Sequence, residues 1–242
     1  MNRMARAAVM LFLGLSMSRL LWTGSFGWFI QQRMMWPLLL ATIVLISMAL
    51  YEGFNASKEE TEDPESVRRA RAPKVGWLMV LPLIVLISVA PTGLGAVAAD
   101  RVDSFEPLNV SVEFEPLDTS SQPVELRVFD FIDRAIWDDE GSVDDVTIRL
   151  EGLVVNDPEN PDGFLLTRFM VSCCAADGVP LQVALRDVGQ TFENDTWVIA
   201  DVVLRQLDVP YSELPVGGRQ VEADVISIEV GTYSPTDAYE SP

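Results

Sequence analysis

The sequence predicts a membrane protein: three transmembrane α-helices followed by a mostly β soluble domain. Three observations predict it. Long apolar stretches fill most of the first hundred residues. The charge changes sign between the two halves of the chain. Beyond residue 146, apolar and polar residues alternate with a period of two in five short runs, the pattern of half-buried strands.

The apolar stretches run over about residues 5–22, 34–51 and 75–99, and together with a polar linker at 52–74 they make up a three-span domain, 1–99. A bilayer is crossed by roughly 20 apolar residues, with about 17 to 25 tolerated. The first stretch begins like a secretory leader, with Arg3 and Arg6 before an apolar centre. No small-residue cleavage site follows, and Trp22, Phe26, Trp28 and Phe29 stand where one would lie, so the segment reads as retained. Arg19 lies about one turn from the end of this stretch, where an arginine snorkels to the interface. The alternative is a functional charge within the membrane. Pro82 and Pro91 sit in the third stretch, where kinks are tolerated, and Gly93 and Gly95 permit close helix packing.

Orientation follows from the basic residues. Arg3, Arg6, Lys58, Arg68, Arg69, Arg71 and Lys74 fall on one side, against Arg33 and Arg101 on the other. The side richer in Lys and Arg is the cytoplasmic one. The N-terminus is therefore expected in the cytoplasm and the C-terminal domain outside, in a bacterial cell membrane.

Residues 100–122 read as an acidic spacer holding one short strand, Asn109–Phe114. Residues 123–242 read as an extracytoplasmic, β-rich domain. Val128, Phe131, Ile132, Ala135 and Ile136 share one face of a helix within Val124–Asp138. Strands are expected over 146–155, 164–173, 179–185, 196–207 and 221–230. Their number and spacing suit a small five-stranded, OB-like barrel, and Gly152 suits a bulge or barrel bend.

Composition excludes several functions. Residues 1–99 carry nine Lys/Arg and six Asp/Glu. Residues 100–242 carry eight Arg, no Lys and thirty Asp/Glu, so the halves hold +3 and −22 of the total −19. The acidic half repels nucleic acid, whose phosphates need Lys and Arg. There is no His, which removes the commonest general base and metal ligand. The two cysteines, Cys173 and Cys174, are adjacent, so no disulfide framework exists. The acidic runs Asp138–Asp139–Glu140 and Asp144–Asp145 match no calcium loop with ligands at fixed offsets.

The one constellation with chemistry is Phe169–Pro180, FMVSCCAADGVP. Cys173, Cys174 and Asp177 are candidate ligands for Zn²⁺ or Cu⁺, since thiolates suit soft cations and Asp177 adds an oxygen. Zinc takes four ligands, so a partner chain or second copy would complete the set. Neighbours on a strand point to opposite faces, so both thiols reach one ion only where the strand ends. A redox pair is the second reading, through a strained, labile vicinal disulfide. The third is packing, with Cys173 in the barrel core and Cys174 along the strand edge. A thiol enzyme would need a lowered thiol pKa, for which only arginines such as Arg168 or Arg186 are at hand.

The SCCAAD stretch (Ser172–Asp177), with Pro180 and Val183 after it, resembles a family of uncharacterised bacterial membrane proteins described as subunits of a two-component membrane permease complex. Further matches lie at Gly24, Gln32–Arg33–Met34, Leu81–Pro82, Pro91, Leu94–Gly95, Ala99–Asp100–Arg101, Thr147–Gly152, Phe164–Asp177 and Thr196–Val198. The resemblance implies a barrel-like outer domain, a bacterial membrane and a polytopic membrane permease as partner. The expected role is a non-catalytic accessory subunit docked on that permease in the lipid bilayer. The alternative is an extracytoplasmic metal-binding protein, alone or as a homo-oligomer.

Overall fold

The structure, a computed structural model, describes residues 3–59, 94–100, 114–158, 161–214, 220–232 and 239–240. The chain divides into two compact units, Met1–Thr92 and Gly93–Pro242.

The first unit is an antiparallel helical hairpin, α1 (Arg3–Thr23) and α2 (Met35–Glu59). Gly14 lies against Ile46 and Gly53 against Ala7, which fixes the antiparallel register. Two short 3-10 turns, Ser25–Trp28 and Gln32–Met34, make the connection. The Gln32–Asn55 segment is long and apolar enough to cross a membrane, and it is the only such helix among the described residues. It leaves Trp36, Leu40, Ile43, Tyr51 and Phe54 exposed. Its polar side chains bond inward, Thr42 Oγ1 donating to the Leu38 carbonyl at 2.8 Å and Ser47 Oγ to Ile43 at 2.7 Å. That removes their need for water on an apolar surface. Three transmembrane helices are therefore not what the structure shows. α1 forms over the first expected span, but Arg6 and Arg19 interrupt its apolar run. Most of the third, 75–93, lies outside the described residues, as does the strand expected at 109–114 up to Phe114. The end of that third span, 94–99, packs in the second unit.

The second unit is a closed five-stranded barrel with one principal helix. The strands of the barrel are β2 (Ile148–Val155), β3 (Phe164–Met170), β4 (Val179–Arg186), β5 (Trp197–Leu204) and β6 (Val221–Val230). β1 (Val124–Glu125) and β7 (Tyr239–Glu240) are two-residue additions that pair parallel with β2 and β3. Neighbours run β2–β5–β6–β4–β3, and β2 pairs with β3 to close the ring. The β4–β6 contact is parallel and the other four are antiparallel. All five expected strands are present, each shifted at its ends by three residues or fewer.

The interior follows the period-two pattern. Ile148, Leu150, Val154, Leu166, Val183, Leu185, Val198 and Ala200 point in and are fully or nearly fully buried. α3 is the four-residue turn Ala96–Ala99, and α4 spans Val128–Trp137. α4 seals the barrel with Val128, Phe131, Ile132 and Ile136, the face its 3.6-residue spacing predicts. A second apolar layer lies on the outside, where Leu153, Val155, Phe169, Val171 and Trp197 pack under Ala96 and Ala99 of α3.

Gly152 allows the closure. A Cβ there would stand 2.9 Å from the Thr167 carbonyl and 3.0 Å from Leu166 Cγ. β2 pairs with β5 through Leu153 and with β3 from Leu153 onward, so its backbone crosses β3 at this point. The register shift that a bulge would cause is found instead between β5 and β6, where Asp201 pairs with Ser227 and Val202 with Val225, so that Ile226 of β6 is the extra residue.

Glu240, next to the C-terminal end, ties three elements together. Its carboxylate is buried and accepts the Val128 and Phe129 N–H groups, both at 2.9 Å, at the start of α4. N–H groups in the first turn of a helix have no intrahelical acceptor and lie at the positive end of its dipole. Arg168 lies 3.6 Å from the same carboxylate and stacks on the Trp197 ring at 4.8 Å. The Glu240 carbonyl accepts the Val171 N–H at 3.0 Å. Glu240→Ala is expected to lower unfolding stability by about 3 kcal/mol, because it strands two helix donors and a buried guanidinium. Urea titration of the chain, followed by tryptophan fluorescence, measures it; a loss below about 0.5 kcal/mol would show the tail to be dispensable.

Candidate metal centre

β3 and β4 are joined by residues 171–178, since Met170 pairs with Val179. Both cysteines lie in this loop, past the end of the strand. Cys173 is exposed and Cys174 is half-buried. The packing reading therefore fails, because neither thiol enters the core.

Asp177 shapes the loop. Residues Ala175–Asp177 form a 3-10 turn, in which the Asp177 N–H reaches the Cys174 carbonyl at 3.0 Å. The turn swings the Asp177 carboxylate back over the loop entrance. There Oδ1 accepts the Ser172 N–H at 3.0 Å and Oδ2 the Cys173 N–H at 2.8 Å. Short polar side chains favour such turns because they bond nearby backbone.

The Cys173 thiol donates to Asp177 Oδ2 at 2.9 Å, and the two sulfurs stand 3.8 Å apart. One donor atom from each of Cys173, Cys174 and Asp177 lies within 4.8 Å of the others, and no further metal-ligand cluster occurs among the described residues. The geometry suits a tetrahedral ion. With Zn–S near 2.3 Å, two thiolates on one zinc stand about 3.8 Å apart, and thiolate and carboxylate oxygen about 3.6 Å apart. The sulfur pair is thus at ligand spacing already, while the Cys173–Asp177 contact is a closed hydrogen bond.

Electrostatics agree with a protonated resting site. Hydrogen bonding to Asp177, then to Cys174, pushes the Cys173 thiol up to about 11. The same thiol bond, with backbone N–H groups adding to it, holds the Asp177 carboxyl below the usual range. Each described arginine of this unit is paired with a carboxylate elsewhere. Arg127 pairs with Asp130, Arg134 with Asp138, Arg149 with Asp201, Arg168 with Glu240, Arg186 with Glu222, and Arg205 with Asp187 and Asp224. A reactive thiolate needs a lowered pKa, and this site has the reverse. The acidic run at Asp138 is likewise engaged, its carboxylate accepting the Glu140 and Ser142 N–H groups.

All three expected ligands are brought together. Sequence reasoning did not find what surrounds them: Leu94 against Gly178, Tyr239 and Glu240 at the loop entrance, and Asp195 at α3. These contacts join segments with no shared pattern, and only the Leu94–Gly95 pair stood out in the sequence.

Residues 129–216, which include α4 and four of the five barrel strands, match the DUF1980 C-terminal domain family, which is uncharacterised. No curated protein matches the chain. A solved structure from Leishmania major Friedlin, provisionally assigned as an aspartyl-tRNA synthetase, overlays on 55% of this chain with a TM-score of 0.30 and 12% identity. The overlay covers 24% of that chain, and a likeness so slight carries no argument about function.

The Asp177 bond should set the reactivity of Cys173. In a Cys174→Ser background at pH 8, Cys173 is expected to alkylate on the order of a hundredfold more slowly than a free thiol of pKa near 8.5. Asp177→Asn removes the charge that disfavours the thiolate, and should speed alkylation at least tenfold. Equal rates in the two proteins would show that the carboxylate does not hold the proton.

Proposed function

We propose that this protein is a membrane-tethered, non-catalytic module that captures a thiophilic cation, Zn²⁺ or Cu⁺, at Cys173, Cys174 and Asp177. The observation that carries this reading is the 3.8 Å separation of two surface thiols beside a carboxylate. Binding exchanges thiol protons for the ion, so affinity rises with pH. The ligand set is three, and the fourth position is left to water, to a second copy, or to a donor on a partner. The absence of His and the raised Cys173 pKa support a binding role over thiol catalysis. The pairing of each described arginine of the barrel unit with a carboxylate supports a partner other than nucleic acid. The strand order, with its one parallel contact, supports an OB-type barrel.

The setting we propose is the bacterial cell membrane, with the barrel outside the cytoplasm. The exposed apolar surface of α2 supports a bilayer anchor and offers a docking face for a polytopic permease, of which this chain would be the accessory subunit. The module would then receive or deliver the cation for that permease.

Purified full-length protein, reduced and in detergent, is expected to bind one Zn²⁺ per chain. Cys173→Ser, Cys174→Ser and Asp177→Asn should each weaken binding at least tenfold. Metal analysis after equilibrium dialysis decides it: no bound metal, or metal retained by the double serine variant, sinks the cation reading.

A further inference from the structure

The cysteine loop is built against the segment through which the chain enters the barrel. Leu94–Ala99 follows directly on the unit boundary at Thr92/Gly93. Gly178, next to the Asp177 ligand, is boxed on three sides. A Cβ there would overlap Leu94 Cδ1, and would stand 3.3 Å from the Ala175 carbonyl and 3.6 Å from Val171 Cγ2. Val171 is fully buried with Ala96 and Ala99 in the outer apolar layer, and its N–H is pinned to the Glu240 carbonyl. The entry segment is held by Ala96 and Ala99 in that layer and by two hydrogen bonds: the Leu94 N–H donates to Tyr239 Oη at 3.3 Å, and the Ala96 N–H to Asp195 Oδ1 at 2.6 Å.

We propose that cation occupancy is coupled to the seating of Leu94–Ala99 on the barrel, so that binding a cation loosens this segment and loosening the segment tightens the site. The proposal rests on the cation reading of Cys173, Cys174 and Asp177 given above. To ligate one ion, the Cys173–Asp177 contact must widen from 2.9 Å to about 3.6 Å. Asp177 carries Gly178 with it. The Ala175 side of Gly178 belongs to the same tight turn, and the Val171 side is held by the tail and the outer layer. The Leu94 side is a single half-buried side chain at the start of its segment, and it is the side that yields. Close-packed contacts pass on a shift of this size rather than absorb it. Coupling of two equilibria is reciprocal, so anything that pulls on the entry segment changes cation affinity by the same factor.

The test uses full-length protein in detergent with zinc chloride as the probe, and two readouts. Hydrogen–deuterium exchange of peptides covering residues 94–100 is expected to accelerate at least threefold when zinc is bound. Asp195→Gly removes the Ala96 fastening at a position whose φ of 66° glycine accepts readily, and it touches no ligand. It should still bind one zinc per chain, with the Kd lowered at least threefold. If wild-type protein binds zinc while exchange at 94–100 is unchanged or slower, or while Asp195→Gly leaves the Kd unchanged, the coupling is overturned and the site stands. If wild-type protein takes up no zinc, the site reading fails and the coupling falls with it.

Discussion

The second unit depends on a single close approach of backbone to backbone, Gly152 against the carbonyl of Thr167. No other residue type fits there without displacing β3, and without it β2 would remain an edge strand. Because β2 changes partners at Leu153, the side chains of Leu153 and Val155 point outward, away from the filled interior. An outward apolar face has to be covered. Ala96 and Ala99 cover it, being small enough to let the α3 turn lie flat on the sheet. β3, freed from β2 beyond Thr167, continues to Met170 with β4 on one side and the C-terminal tail on the other. The cysteine loop begins where that strand stops.

The large negative charge does less to the barrel than its size suggests. Cross-strand pairs such as Arg149–Asp201 and Arg186–Glu222 are half-buried on the outer surface in bidentate geometry, and pairs that keep contact with water contribute little each. Their consequence is a negative one: each described arginine of this unit is occupied. Among the described residues the thiols therefore meet a carboxylate and no arginine. In that surrounding a proton is the ground-state partner of Cys173, and only an ion with strong affinity for sulfur displaces it. Asp177 serves twice, as the cap that folds the loop and as the acceptor that keeps the thiol protonated.

Much of the fold was legible in the sequence, and the reasons are specific. Alternation marked β2, β4, β5 and β6 to within a few residues, because each has one face on the barrel interior. The continuous run Leu153–Val154–Val155 carried the further message that both faces are buried there. α4 was legible from Val128, Phe131, Ile132 and Ile136, although it starts later than expected, since Val124–Glu125 is captured by β2 as a short parallel strand. The strand expected to run on to Cys173 stops at Met170, because the Val171 N–H is taken by the tail. Tyr239 and Glu240 lie in a polar, unpatterned tail, and nothing local announces that one caps α4 and the other holds Leu94. The end of the third apolar stretch misled for a similar reason: Leu94–Ala99 is apolar enough for a bilayer and is equally suited to cover the outer face of a barrel.

The candidate site differs from these features in being local. Its donors sit at positions 173, 174 and 177 of one loop, and the turn that gathers them is closed by the third donor's own carboxylate. That is why a sequence motif could name all three candidate residues together. The adjacency of the cysteines also acquires a physical meaning. On a strand it would send the thiols to opposite faces; past the strand's end, with Cys174 extended and the chain turning directly after it, both sulfurs face the same space. A local site needs the rest of the domain only as a foundation, and its ligands survive any rearrangement that leaves the loop whole. Its environment is the opposite case. Leu94, Tyr239 and Glu240 come from opposite ends of the second unit and Val171 from its middle, so the loop's surroundings are written in tertiary contacts, where no motif can record them.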